Sequence, residues 1–388
     1  MFNDKSFFEK FPKDVYEVCV YISRQGFCLT LVGGAVRDFL KDDTLSHDLD
    51  FEIKHLFEYS EERWERMLKR MFEGLKNDLG YEVEHKGLNV FSIKTSNSEL
   101  EFSSPRLEEF DLEDKSHKNF SPKYISNLET AKAFLRRDFT INAIGIYFGV
   151  SGASDEFTIL DPFNGVQDLE KNILKHVGKD FSKDPVRLLR LIRFKNRFKL
   201  NLSKETELIL QDFDLSKVSA HYIQTEFFKL NDLVFFKELF EIIDSNQIVV
   251  DKNLLKLRVL GQVDINASLV KFSTENFLEW LCFHKDIQAH DKKQIVEYFG
   301  MSQKLADKFV NALELFLQLD ESKSDTYTEF FKAFFALELK SEANSKWFSF
   351  KDLWIRSLKT FRPSSKASAK VDREEFLKSL TETLLTGK

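Results

Sequence analysis

The sequence predicts an α+β protein in which a mixed sheet with helices forms an N-terminal head and an all-α neck, body and tail follow. Three observations predict it. Short runs of alternating apolar and polar residues, the period of a half-buried strand, recur before about residue 150. A glycine pair, Gly33-Gly34, stands where an apolar run passes into a helical pattern. After about Asp161 the strand signal almost vanishes and helical periodicity takes over.

In chain order, residues 28–34 read as an apolar strand entering the glycine turn, and 36–41 open a short helix. Residues 48–53 are a second strand, and 58–79 combine helical periodicity with alternating charge. Residues 89–94 and 99–103 alternate like paired strands. The highly charged span 106–129 has no clear period and reads as a long surface loop, a feature usually tied to function in a compact domain. Helices are then expected over 184–198, 204–213, 222–230, 234–243, 275–284, 302–317, 327–339 and 373–385, with 362–370 as a linker. The predicted organisation is a head over 1–150, a helical neck over 151–230, and a helical body and tail over 231–388.

At 388 residues the chain is long enough for two or three compact units. Its 43% hydrophobic and 31% charged residues match a globular protein, and six prolines with fourteen glycines argue against extended disorder. There is no apolar run of membrane-spanning length and no apolar signal core after Met1. Cys19, Cys28 and Cys282 have neither disulfide-framework nor zinc spacing, so a reducing cytoplasm is expected. The 41 phenylalanines read mainly as core, since groups such as Phe330, Phe331, Phe334 and Phe335 follow helical spacing.

The net charge of −6 hides an uneven distribution. Between Lys171 and Leu200 ten cations face only Asp180 and Asp184, a local balance of +8. Phosphate attraction reaches roughly 8–10 Å in cellular salt, so such a patch outweighs the global sum.

The chemistry-bearing residues come in sequence order. Gly33 and Gly34, followed by Arg37, allow a backbone to approach a phosphate at a helix N-terminus. Asp48-Leu49-Asp50 lies in an apolar strand, so both carboxylates leave the same face. Two such groups repel unless cations sit between them, and oxygen ligands of this kind suit Mg²⁺ shared with substrate phosphates. Glu101, in Leu100-Glu101-Phe102, could join them from a neighbouring strand, although an exposed strand glutamate would look the same. Asp184 and Arg187, three apart on a helix, share a face; an acceptor-only carboxylate beside a donor-only guanidinium matches the amino and ring-nitrogen edge of cytosine and adenine, while a simple salt bridge has the same spacing.

Together these elements resemble the DNA polymerase β-like nucleotidyltransferase head of the bacterial-type (class II) tRNA nucleotidyltransferase and poly(A) polymerase family. Three further segments are similar to that family's motifs and stand in its order: Arg136-Arg137-Asp138-Phe139-Thr140-Ile141-Asn142-Ala143, Leu160-Asp161-Pro162-Phe163-Asn164-Gly165 with Asp168-Leu169 and Ile173, and Asp184-Pro185-Val186-Arg187-Leu188-Leu189-Arg190-Leu191-Ile192-Arg193-Phe194. The resemblance covers about residues 29–198. It implies that Asp48 and Asp50 hold Mg²⁺, with Glu101 as a third catalytic carboxylate. It also implies nucleotide contacts from Gly33, Gly34, Arg37, Arg137, Asp138, Asn142, Asp184, Arg187 and Arg190. Lys183 stands where the family usually has glutamate, and His221-Tyr222 where Glu-Arg is usual, with Glu226 just beyond.

The implied reaction is template-independent addition of CCA to the 3′ acceptor end of tRNA, from CTP and ATP, by two-metal nucleotidyl transfer with release of pyrophosphate. A-only addition and poly(A) synthesis are the alternatives within the class. A catalytically silent RNA-binding protein on the same scaffold is the alternative outside it. No membrane association and no protein partner are expected.

Overall fold

The computed structural model describes residues 7, 9–110, 117, 120–148, 157–263, 277, 280–281, 287–300 and 311. The chain divides into two compact units, 1–214 and 215–388.

The first unit is built on a seven-stranded mixed sheet. In chain order its elements are α1 (Lys13–Arg24), β1 (Cys28–Val32), α2 (Gly34–Asp42), β2 (Asp48–Lys54), α3 (Glu61–Leu79), β3 (Val83–Gly87), β4 (Val90–Lys94) and β5 (Glu99–Ser103), with β6 (Arg106–Phe110) and β7 (Phe120–Tyr124) following and β8 (Gly145–Phe148) and β9 (Phe157–Leu160) completing the strands used here. The sheet order is β3-β4-β5-β2-β1-β8-β9. The β2–β5 pair is parallel, and the other pairs in this sheet are antiparallel. The expected mixed sheet is therefore present.

Alternation along β2 shows how the sequence sorts the two faces. Leu49, Phe51 and Ile53 are fully buried and join a core with Leu100, Phe102 and Ile146 from neighbouring strands. The amphipathic helices α1 and α3 close that core with Val15, Val18 and Ile22 and with Trp64, Leu68, Phe72 and Leu75. Phenylalanines fill it by stacking: Phe51 on Phe102 at 5.1 Å, Phe72 on Phe91 at 4.3 Å. Burying each such ring contributes roughly 2–3 kcal/mol. Asp48, Asp50 and Glu52 point to the opposite face. Helix α3 starts on Ser60, whose hydroxyl accepts from the Arg63 N–H, and stops at left-handed Gly80.

The span 106–129 is not a loop throughout. Its ends form an antiparallel hairpin, β6 with β7, in which Arg106 faces Tyr124 and Phe110 faces Phe120. Charge concealed the strand pattern, because Glu108 on β6 is neutralised locally by Arg106 at 2.8 Å. Residues 111–116 and 118–119 of this span lie outside the described residues.

Helix α4 (Thr130–Phe134) leads into the motif at 136–143, and α5 (Gly165–Glu170) into α6 (Val186–Phe198). The third motif is a brace for the second. Both Asp161 oxygens accept backbone N–H groups at the start of α5, from Gly165 at 2.6 Å and Val166 at 3.0 Å. Gly165 lies so close to the Thr140 carbonyl that a Cβ would stand 2.1 Å from that oxygen. Asp168 accepts from the Thr140 hydroxyl at 2.7 Å.

Helix α7 (Lys204–Leu208) belongs to the first unit, and the described part of the second includes α8 (Ala220–Leu230), α9 (Val234–Asn246) and α10 (Ala289–Tyr298). Phe227, Phe235, Phe236 and Phe277 are fully buried there, with Phe227 and Phe236 centred 4.7 Å apart. The helices expected over 275–284, 302–317, 327–339 and 373–385 lie outside the described residues, save isolated positions, as does the linker 362–370. Among the described residues no helix is long and apolar enough to cross a membrane.

Candidate nucleotidyl-transfer site

Three groups of side chains meet around the segment 136–142. The first is the carboxylate face of the sheet. Parallel pairing sets Asp48 opposite Glu99 and Asp50 opposite Glu101, so the expected meeting of Asp50 with Glu101 occurs. Glu99 joins them, a residue the sequence reading passed over because only the β2–β5 register reveals it. Lys86 on β3 reaches both glutamates, 3.2 Å from Glu99 and 3.4 Å from Glu101. Asp50 can be reached by solvent but is closely surrounded. Burial, then Glu101 and Asp48, push its carboxyl above the usual range, against the pull of Arg137 and Arg136.

Antiparallel pairing of β1 with β2 puts Val32 opposite Asp50, so the chain turns at Gly33 directly beside that carboxylate. Gly33 has φ +79°, which an L side chain rarely adopts. A Cβ there would lie 3.6 Å from Asp50 Oδ2 and 3.5 Å from Arg137 Nη1. Gly33 is thus the point where backbone, carboxylate and guanidinium converge. Gly34 begins α2 and would bring a Cβ 3.6 Å from Arg37 Nη2.

The second group is a buried hydrogen-bonded chain. Arg37 donates to Asn142 Oδ1 at 2.6 Å, Asn142 Nδ2 donates to Asp138 Oδ1 at 3.0 Å, and Arg190 donates to Asp138 Oδ2 at 2.7 Å. Arg37 also pairs with Asp38 and lies over the Phe198 ring at 4.4 Å. Burial pulls its basicity down, with Asp38 opposing. Asp138 accepts from the Phe139 N–H as well. Burial opposes its ionisation, yet Arg190, Asn142 and that N–H together hold its pKa down to about 2. Neither Asp138 nor Asn142 caps a regular helix; the segment Thr140–Asn142 is a single 3-10 turn.

The third group is the Asp184–Arg187 pair at the start of α6. Their closest approach is 3.8 Å, a loose ion pair. Arg187 is buried and donates to the Arg136 carbonyl at 2.7 Å and the Asp180 carbonyl at 3.2 Å. Asp184 accepts from the Val186 N–H at 3.0 Å and from His117 Nδ1 at 2.7 Å. His117 belongs to the span beyond β6, so the charged segment reaches the pair directly. Lys183 repeats the link: it pairs with Asp180 at 2.7 Å and lies over the Phe110 ring at 5.5 Å. No sequence signal marks His117, since a lone histidine in a charged stretch has no period. In the second unit, Glu226 is buried and pairs with Lys229 at 3.2 Å, and the His221 and Tyr222 rings lie 5.5 Å apart.

The basic stretch 171–200 is thinner as a surface than its charge sum implies. Arg187 and Arg193 are buried, Arg190 serves Asp138, and Lys175 pairs with Glu205 at 3.1 Å.

Among the described residues no three His, Cys, Asp or Glu side chains converge closely enough to hold a metal by themselves. Asp48 and Asp50 nevertheless fit a divalent cation: they share one strand face, and a cation would offset the burial and the like-charge repulsion that raise Asp50. Mg²⁺ typically takes one or two carboxylates and draws its remaining ligands from substrate phosphates and water.

Residues 29–175 match the poly(A) polymerase head domain. The CCA-adding enzyme of Lactobacillus helveticus is 32% identical over 231 residues, 58% of this chain and 51% of that protein. The multifunctional CCA protein of Nitrosospira multiformis is 45% identical over 78 residues, 20% of this chain and 17% of that protein. The chain thus spans about half the length of the first of these relatives, and less of the second. In fold it is similar to the Thermotoga maritima CCA-adding enzyme complexed with tRNA (TM-score 0.60, 19% identity, 99% of this chain and 94% of that one). It is similar also to the Bacillus stearothermophilus CCA-adding enzyme in complex with CTP (TM-score 0.55, 16% identity, 100% and 94%).

Proposed function

We propose that the protein adds CCA to the 3′ end of tRNA from CTP and ATP without a template, since residues 29–175 match the poly(A) polymerase head domain and the chain is similar to CCA-adding enzymes. The observation that carries this reading is the convergence at Gly33: a positive-φ turn, the Asp50 carboxylate opposite Glu101, and the Arg137 guanidinium within one small volume. That combination provides a backbone N–H cradle, an anionic cation site and a cationic phosphate contact side by side.

In this reading Asp48 and Asp50 hold Mg²⁺, which when bound supplies Lewis acidity toward the attacking 3′-hydroxyl and the triphosphate. Gly33 and Gly34 let the backbone approach the phosphates, and Arg137 neutralises charge on them. Glu101 adds negative potential beside Asp50, tempered by Lys86. The chain Arg37–Asn142–Asp138–Arg190 fixes the segment that carries Arg137 and leaves hydrogen-bonding capacity for a ribose edge. Asp184 and Arg187 together present an acceptor and donors to the base, the complement of cytosine and adenine and not of uracil and guanine. The neighbours in fold that were captured with CTP and with tRNA fit the same substrates.

The test uses the full chain with Mg²⁺, CTP and ATP and three tRNA transcripts: one lacking CCA, one ending in CC, one complete. Expected are CCA on the first, a single A on the second and nothing on the third. Addition to the CC transcript alone would reassign the chain to A-only addition, and long A tails to poly(A) synthesis. RNA binding without incorporation would favour a silent scaffold.

A further inference from the structure

Lys86 stands on β3, two strands away from β5, and its ammonium nevertheless lies 3.2 Å from Glu99 Oε1 and 3.4 Å from Glu101 Oε2. The local backbone accounts for its placement. His85 faces Phe91 and Gly87 faces Val90 across the β3–β4 pair, so Lys86 is the extra residue of a β-bulge, a feature that re-aims a side chain. His85 stacks on Phe91 of the core at 4.6 Å. Alternation therefore sends Lys86 to the opposite face, the one that carries the carboxylates. On that face the intervening strand β4 offers Ser92, opposite both Glu84 and Glu101. Its side chain is short enough for the lysine stem to pass over β4.

An ion pair as exposed as this one contributes little to stability. Its consequence lies with its partners. Parallel pairing sets Glu99 beside Asp48 and Glu101 beside Asp50, on strands roughly 5 Å apart. Glu101 is thus one strand spacing from any cation that Asp50 holds. Mg²⁺ at nucleotide sites typically takes one or two carboxylates and fills its remaining positions with water and phosphate oxygens. A cation gripped by three or four carboxylates has fewer positions left for substrate.

We propose that Lys86 is a positioning residue, a resident cation that holds Glu101 and Glu99 off the metal. Asp48 and Asp50 then remain its carboxylates, and its other positions stay open to substrate oxygens. The inference rests on the nucleotidyl-transfer reading and deepens it.

The test compares wild type with Lys86→Met, Lys86→Arg, Glu101→Gln and Lys86→Met/Glu101→Gln. Cation binding to the full chain without nucleotide is read from the spectrum of free Mn²⁺, with Mg²⁺ as competitor. KM and kcat for CTP are measured separately on the transcript lacking CCA. Lys86→Met should bind Mn²⁺ about three- to tenfold more tightly than wild type, because the released Glu101 joins the cation. Its CTP KM should rise and its kcat fall, since phosphate oxygens lose their positions. Lys86→Arg, which keeps the charge, should stay near wild type. In the Glu101→Gln background the Lys86→Met change should no longer tighten Mn²⁺ binding. An unchanged Mn²⁺ affinity in a folded Lys86→Met protein overturns the proposal, whether or not the CTP KM moves. Equal tightening in the Glu101→Gln background also overturns it, because Lys86 would then act as a diffuse charge and not through Glu101. Should Lys86→Met fail to fold, Lys86→Gln is read by the same criteria. Wild-type incorporation beside an unaffected Lys86→Met sinks this inference alone. Mn²⁺ binding that persists in Asp48→Ala/Asp50→Ala, or a wild-type chain that incorporates no nucleotide, sinks the underlying reading as well.

Discussion

The carboxylate face of β2 and β5 and the buried chain from Arg37 to Arg190 lie next to one another and are built in opposite ways. In the chain, acceptor meets donor at each link, and Asp138 is held ionised by three of them. On the sheet face, Asp48, Asp50, Glu99 and Glu101 crowd together with Lys86 as a nearby cation, and Asp50 is pushed toward protonation. A satisfied network is rigid because any displacement breaks a bond. A frustrated set of like charges stores an affinity for cations. The difference separates the part of the site that holds its shape from the part that does chemistry.

The sharpest way to break the comparison is to remove the frustrated side. Asp48→Ala or Asp50→Ala should reduce incorporation of every nucleotide by at least about a thousandfold while tRNA binding in a gel-shift assay persists. Substantial turnover by the double variant would remove the metal assignment.

On the satisfied side the loss should appear first as stability. Asp138→Asn removes the counter-charge of Arg190, whose side chain is 34% exposed, and should cost about 2 kcal/mol in urea unfolding at pH 7. The pH dependence has a defined sign. The Asp138 pKa is about 2 in the folded chain against an ordinary 3.8, so its contribution is present above about pH 4 and lost as pH falls toward 2. That shift corresponds to about 2 kcal/mol. The gap between wild type and Asp138→Asn should therefore narrow below pH 4, and a constant gap would mean that the carboxylate's charge is not what stabilises the network.

Arg187→Ala bears on both sides, because Arg187 anchors the Arg136 carbonyl and faces Asp184. Use of CTP and ATP should fall about ten- to a hundredfold and discrimination against UTP and GTP should blur, as expected for loss of about 1.5–3 kcal/mol. Full selectivity with lower stability would make Arg187 purely structural.

The smallest effect is expected at His117. Replacing it with alanine frees Asp184 of one hydrogen bond and should shift the ratio of A to C addition by a few fold, on the order of 1 kcal/mol. Replacing 111–119 by a short turn, with β6 and β7 kept, should lower A addition more than C addition. Equal loss of both steps would make the hairpin a general support.

What the sequence by itself determined are features with local causes. Asp48 and Asp50 share a face because a strand alternates, and the turn at 33–34 needs glycine because its backbone runs at positive φ. The mixed sheet and the helices at α3 and α6 were legible from their periods for the same reason. Only the tertiary structure decided matters that depend on register and burial. Glu101 meets Asp50 because β5 runs parallel to β2, a pairing between residues 51 positions apart that no local pattern encodes. The hairpin β6–β7 was hidden because its strands are charged, with Arg106 and Glu108 pairing along β6. Arg187, Arg190 and Arg193 looked like a basic surface, yet the fold buries Arg187 and Arg193, gives the Arg187 donors to backbone carbonyls and commits Arg190 to Asp138. Glu52 differs from Asp50 in nothing a strand pattern can register, and only the fold buries it.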